Sequence, residues 1–122
     1  MPTADDMQAI SDAYIDAYKR NDKDAVLALF REDAIFEDPV GQPPHLGHEG
    51  IAAFWDQSHA MASIELHRKD LIICGSEMAM VFEVHATIGD NTMILDAIDV
   101  FVVGDDGKIS SLKAYWDMAR AR

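Results

Sequence analysis

Cysteine occurs once in the 122 residues, at Cys74, so no internal disulfide is available and a reducing compartment fits. Basic residues are also scarce: 10 Lys and Arg stand against 22 Asp and Glu, a formal net charge of −12. Phosphates are repelled by that balance, which argues against nucleic acid and anionic membranes as partners but leaves a neutral, apolar ligand open. No apolar run approaches the ~18 residues of a membrane span. The opening Met1-Pro2-Thr3-Ala4-Asp5-Asp6 is acidic and has no apolar core, so no secretory signal is expected and the expected location is the cytoplasm. Repeats, low-complexity segments, a phosphate-cradling glycine loop and a Ser or Cys nucleophile motif are all missing. His45, His48, His59, His67 and His85 lack metal-ligand spacing, so no metal is expected.

What is present is an ordinary globular balance, 49% hydrophobic and 26% charged, and the length suits one domain over residues 1–122. The first half reads helical. Asp5 or Asp6 can cap a helix whose stripe Met7, Ile10, Tyr14, Ala17 makes one face, which puts Tyr14 on the buried side. Asn21-Asp22 breaks it and caps a shorter helix carrying Ala25, Val26, Leu29 and Phe30. A strand over Ala34–Asp38 follows, then a loop over 41–47, then a third helix over His48–Met61 with Ile51, Phe54, Trp55 and Ser58 at helical spacing.

The second half reads as strands. Residues 64–73 form the least regular one. Met78, Met80, Phe82, Val84, Ala86 and Ile88 then alternate with polar residues, including Glu77, Glu83 and His85, as in a half-buried strand. Gly89-Asp90-Asn91 turns the chain into a strand over Thr92–Val103, and Gly104-Asp105-Asp106-Gly107 is a hairpin signal before a last strand over Lys108–Asp117. The expected fold is α+β: three helices followed by an antiparallel meander, with the helices on one face of the sheet.

Two acids break the pattern. Ala34, Phe36 and Asp38 share one side of their strand, so a carboxylate is aimed where Phe36 points, and Pro39 and Gly41 end the ladder behind it. Asp before Pro equally suits a plain turn. In the later strand Met93, Leu95, Ala97, Asp99, Phe101 and Val103 face one way, five apolar residues and one acid. A lone buried carboxylate raises its pKa or finds a partner, and Arg68 and Lys113 are candidate partners. The opposite face, Ile94, Asp96, Ile98, Val100 and Val102, is more apolar than a solvated sheet requires, and a homodimer over this outer face accounts for it.

Tyr14, the run Glu37-Asp38-Pro39-Val40-Gly41, and Ile98-Asp99-x-Phe101 together resemble the bacterial Δ5-3-ketosteroid isomerases of the nuclear-transport-factor-like superfamily. Leu27-Ala28-Leu29-Phe30 with Asp33-Ala34 also looks like that family's second helix and its exit. The resemblance implies a double-bond shift from Δ5 to Δ4 in a 3-oxo-steroid, with Asp38 as general base and with Tyr14 and a protonated Asp99 as donors to the dienolate oxygen. It implies three N-terminal helices packed on a curved, mainly antiparallel sheet that forms a cone-shaped pocket, no cofactor, and pocket walls from Phe30, Trp55, Met80, Phe82, Val84, Phe101 and Trp116. Trp55 stands where family members often carry a tyrosine that bonds the phenol matched by Tyr14, and its indole N–H is expected to donate to Tyr14 instead. Tyr115 and Trp116 are expected to narrow the cavity.

The superfamily also holds binding modules and other enzymes, so a non-catalytic hydrophobic-ligand domain, a dehydratase or a cyclase are the alternatives. An epoxide hydrolase of the Asp–Arg–Asp type is disfavoured because no arginine falls between two inward acids. A dehydratase that leans on tyrosines and histidines is disfavoured because His85 falls on the outward face.

Overall fold

In the computed structural model, which describes residues 1–122, the first helix is capped by Thr3 rather than by Asp5 or Asp6. The Asp6 amide donates to the Thr3 hydroxyl at 3.1 Å, and the Thr3 amide donates to the Asp6 carboxylate at 2.9 Å. This reciprocal box satisfies two amides that have no partner within the helix. The helix, α1, runs Ala4–Lys19 and buries Met7, Ser11, Tyr14, Ala17 and Tyr18. Asn21, at φ 54, takes the left-handed turn that releases the chain, and Asp22 caps α2, Lys23–Leu27.

The second helix is shorter than expected. Leu29 and Phe30 do not extend it, because Phe30 already opens the strand β1, Phe30–Glu37, and the Leu29 carbonyl accepts from the Ile109 amide at 2.9 Å. A short apolar run fits a helix and a strand equally well, and here a distant partner decides. β1 therefore starts four residues before the expected Ala34. Within the predicted 41–47 loop, His45–Leu46 form a two-residue edge strand, β2, beside Ile35 and Phe36. Gly47 then begins α3, Gly47–Ser58, with φ +67; a Cβ there would lie 2.7 Å from the Glu32 carbonyl oxygen. The helix stops short of Met61, which is 79% exposed. Its last turn is closed by the His59 ring, whose Nδ1–H donates to the Trp55 carbonyl at 2.9 Å.

The remaining strands are β3 (Ser63–Cys74), β4 (Glu77–Ile88), β5 (Asn91–Val103) and β6 (Ile109–Trp116), followed by a 3-10 turn at Met118–Arg120. The six strands make one open, mixed sheet in the order β2-β1-β6-β5-β4-β3. All neighbours are antiparallel except β1 and β6, which run parallel. The α+β class holds, but the helices do not all precede the strands: β1 and β2 lie between α2 and α3. Pairing β1 beside the last strand explains this order, since the segment after α2 must enter the sheet before the chain can return as α3.

The inward residues of β4 and β5 follow the expected alternation. Met78, Met80 and Phe82 are buried on one strand, and Leu95, Ala97, Asp99, Phe101 and Val103 on the other. Phe36, Met7 and Ile51 join them in the core, each such side chain contributing about 1.5–3 kcal/mol by leaving water. Outward, Ile98 is 40% and Tyr115 46% exposed, so Tyr115 narrows nothing inside. After β6 the chain is tied back to β5: the Arg122 amide and carbonyl both bond Ile94, and its guanidinium reaches Glu83 at 2.7 Å and Asp96 at 3.1 Å. No helix is long and apolar enough to cross a membrane.

Candidate active site

β1 ends at Glu37, and Asp38 is the first residue beyond it. The following loop is pinned by the Val40 amide, which donates to the Ala114 carbonyl at 2.9 Å, and Gly41 takes φ +98. These restraints leave the Asp38 carboxyl facing a cavity between the sheet and the helices α1 and α3. Tyr14 enters from α1 and Asp99 from the middle of β5, so three distant parts of the sequence meet in one place. Glu37, the adjacent acid, is not among the lining residues, since neighbours along an extended chain point to opposite faces.

The cavity holds about 240 Å³, and 14 of its 17 lining residues are hydrophobic. That is slightly below the ~300–1,000 Å³ range of small-molecule sites and suits a compact or flat apolar ligand. Of the walls that the resemblance implied, Phe82, Val84 and Trp116 line it. Phe30, Met80, Phe101 and Trp55 do not. Phe30 and Phe101 pack edge-on against the Tyr14 ring from behind, and the Met80 sulfur accepts from Ser11 in the core. Inward-facing position alone cannot separate a wall from the layer that supports it. Residues not foreseen as walls include Tyr18, Phe54, Ser58, Ile64, Leu66, Met93, Leu95 and Met118. Met93, Leu95 and Phe54 were legible as members of inward stripes, whereas Met118 arrives only because Arg122 anchors the chain beyond it.

Trp55 does not reach Tyr14. Its ring stacks on His59 at 3.8 Å and packs against Tyr18 at 4.7 Å. The partner of Tyr14 is instead Tyr18, one helical turn further along, whose hydroxyl accepts from the Tyr14 hydroxyl at 3.5 Å. Spacing of four residues on a helix puts both phenols on one face, so this pairing was readable from the sequence.

The electrostatics follow from burial. Asp99 is 3% exposed and pairs with neither Arg68 nor Lys113; Arg68 turns to Ser11 and Asp12 at 2.7 and 2.8 Å. Desolvation pushes the Asp99 carboxyl well above the usual carboxylate range, and the nearby Asp38 charge pushes it the same way. Asp38 is only partly buried and is also raised by desolvation, but two groups oppose the shift. The Trp116 indole N–H donates to its Oδ1 at 2.7 Å, and His45 favours the anion through its charge. Tyr14 is held well above the ordinary phenol range, first by burial and then by its neighbours Tyr18 and Asp99. The cavity therefore offers two acids raised to different degrees, Asp38 less than Asp99, and phenols that keep their protons.

A larger concavity of about 620 Å³ lies over the outer sheet face, lined by Val40, Val81, Ile98 and Tyr115 with Lys69, Asp96 and Arg120. It contains none of Tyr14, Asp38 or Asp99, and it shares Phe82, Ala97 and Trp116 with the inner cavity.

Comparison with known proteins agrees with this architecture. The SnoaL-like domain model matches residues 12–112, and the chain belongs to that family, within the nuclear-transport-factor-like superfamily. A steroid Δ-isomerase of Nocardioides simplex is 31% identical over 105 residues, covering 84% of this chain and 83% of that protein. The crystal structure of a Δ5-3-ketosteroid isomerase from a Mycobacterium species superposes with a TM-score of 0.86 at 21% identity, over 96% and 97% of the two chains. A Mycobacterium tuberculosis protein solved in complex with estradiol-17β-hemisuccinate superposes with a TM-score of 0.87 at 20% identity, over 96% and 98%. At those identities the two structures speak for the fold alone.

Proposed function

We propose that this protein is a steroid Δ-isomerase, moving a carbon–carbon double bond of a 3-oxo-Δ5-steroid into conjugation within a cone-shaped pocket. The observation that carries the reading is the meeting of Tyr14, Asp38 and Asp99 in one apolar cavity, with the two acids pushed apart in acidity. The identity to a steroid Δ-isomerase supports it.

In this reading ionised Asp38 removes the proton from the carbon between the ketone and the alkene. The electron pair left behind moves onto the carbonyl oxygen, giving a dienolate. Tyr14 and neutral Asp99 donate hydrogen bonds to that oxygen, where a dry site makes each donor count for more than in water. Protonated Asp38 then returns the proton two carbons further along, the carbonyl re-forms, and atoms and charge balance with no cofactor. Phe82, Val84 and Trp116 hold the ring system. Trp116 has a second task, since its N–H opposes the burial-driven rise in the Asp38 pKa and so favours the ionised base.

The direct test is absorbance at the wavelength of the conjugated enone after mixing with a Δ5-3-ketosteroid. Turnover well above the buffer rate is expected, and steroid binding without any turnover would favour the alternative, a binding module in which the acids are only polar contacts. The complex of estradiol-17β-hemisuccinate with a protein of the same fold is the observation that keeps that alternative open. Turnover of an epoxide or a hydroxylated substrate, with none of the ketone, would point to a cyclase or dehydratase instead.

The reading includes a cytoplasmic homodimer that covers the outer face around Val81, Ile98 and Tyr115, whose apolar exposure supports it. Sedimentation is expected to return about twice the 13.5 kDa chain mass, and a monomer at micromolar concentration would remove this part of the proposal.

A further inference from the structure

The hydroxyl of Tyr18 has no role in the mechanism above, yet the residue lines the same cavity as Tyr14, Asp38 and Asp99. The residue is 8% exposed, and its oxygen accepts from the Tyr14 hydroxyl at 3.5 Å. No protein group accepts the proton of Tyr18 itself, so a buried O–H donor is left over at the polar end of an otherwise apolar pocket. A donor in that position is unfavourable unless something fills it.

The ring is held firmly. It packs against Tyr14 at 5.1 Å, Trp55 at 4.7 Å and His59 at 5.8 Å. Trp55 and His59 are themselves stacked, and the His59 Nδ1–H bond to the Trp55 carbonyl fixes the pair. The bulk of Trp55 thus acts as a buttress that sets the Tyr18 ring against Tyr14. The two phenols, four residues apart on α1, share one hydrogen bond and have one proton to spare.

We propose that Tyr14 and Tyr18 act as a couple, one phenol proton held between the two oxygens and the other delivered to the oxygen of the bound ligand. Tyr18 is then a positioning residue when Tyr14 delivers the proton, and a replacement donor when Tyr14 lacks its hydroxyl. Burial, with the carboxyls of Asp38 and Asp99 nearby, keeps the Tyr18 phenol protonated far above neutral pH, as a donor must be. This inference rests on the reading of the pocket as a site for a ligand oxygen that gains negative charge; it does not require that the ligand be turned over.

Tyr18→Phe keeps the ring packed between Trp55 and Tyr14 and removes only the hydroxyl. Its kcat for the ketosteroid is expected to fall about 2- to 10-fold, the range of one neutral hydrogen bond, with KM within twofold of wild type. Tyr14→Phe leaves Tyr18 free to donate, so the Tyr14→Phe/Tyr18→Phe double variant is expected to fall well below the product of the two single effects. A second readout is independent of turnover: 4-nitrophenol, bound and titrated by its visible absorbance, is expected to ionise at higher pH in Tyr18→Phe than in wild type. Identical ionisation in the two proteins, or no binding of the phenol to wild type, overturns the couple. If no ketone is isomerised but the phenol titration still moves with Tyr18, the couple stands and the isomerase reading fails.

Discussion

Asp38→Asn is expected to lower kcat for the ketosteroid by about 10²- to 10⁴-fold, the usual weight of a positioned general base, while steroid still binds. The amide keeps the shape of the carboxyl and can still accept from the Trp116 indole, which now lies 2.7 Å from Asp38 Oδ1. What it lacks is basicity. Retained binding separates loss of chemistry from loss of the pocket, and titration with a steroid ligand measures it. A variant that keeps more than a tenth of wild-type kcat would remove Asp38 as the base. The wild-type pH profile gives the same residue a second check. Only ionised Asp38 accepts a proton, and burial raises its pKa above the usual Asp value, so kcat/KM is expected to climb as pH rises through that raised value and then level off. Asp99 is pushed higher still, so the plateau persists until Asp99 begins to lose its proton. The working window lies between the two acids, and the Asp38 anion widens it by disfavouring a second charge beside it.

Asp99→Leu is expected to slow turnover by about 10²- to 10³-fold, the loss associated with one donor to a developing oxyanion. It should not unfold the protein, and it is expected to raise the melting temperature at neutral pH. The sign follows from linkage. A carboxyl whose pKa is raised by folding binds its proton more tightly in the folded chain. Stability from that proton is full below the unfolded pKa and declines as pH rises towards the folded value. At neutral pH the wild type therefore carries a penalty that a leucine of similar reach does not, amid Phe101, Ala97 and Met80 on neighbouring buried positions. Each kcal/mol regained would lift Tm by about 3–5 °C for a chain of this size. Thermal melts at pH 4 and pH 8 check the sign, because the gap between variant and wild type should be wider at pH 8. Full activity in Asp99→Leu would show that no neutral donor is needed there; a lower Tm at pH 8 would show that the acid is stabilising and so charged and paired.

Both predictions concern acids that sit where local rules put apolar or turn residues. Asp99 was conspicuous because a strand's two-residue period leaves no freedom about which face a side chain takes, and its five companions on that face are apolar. Asp38 was conspicuous only in company, since Asp-Pro is also a common turn. The helical stripe that buried Tyr14 was equally readable, and the same stripe extended by one turn contained Tyr18. The strands β4, β5 and β6 fell close to their expected bounds because each is a long alternating segment closed by glycine or Asn/Asp turns.

Local periodicity thus determined the α+β class and the inward faces of the long strands, and put Tyr14, Asp38 and Asp99 each on such a face; the resemblance, not the periodicity, joined the three into one proposed chemistry. Tertiary structure alone decided the contacts between segments far apart in the chain. It ended α2 early by giving Phe30 to β6, and placed β1 parallel to that last strand. It turned Trp55 away from Tyr14 onto His59 and brought Trp116 to Asp38 across 78 residues. Phe30, Met80 and Phe101 became a supporting layer rather than a wall for the same reason: a side chain's face follows from its own strand, but its depth depends on what packs in front of it.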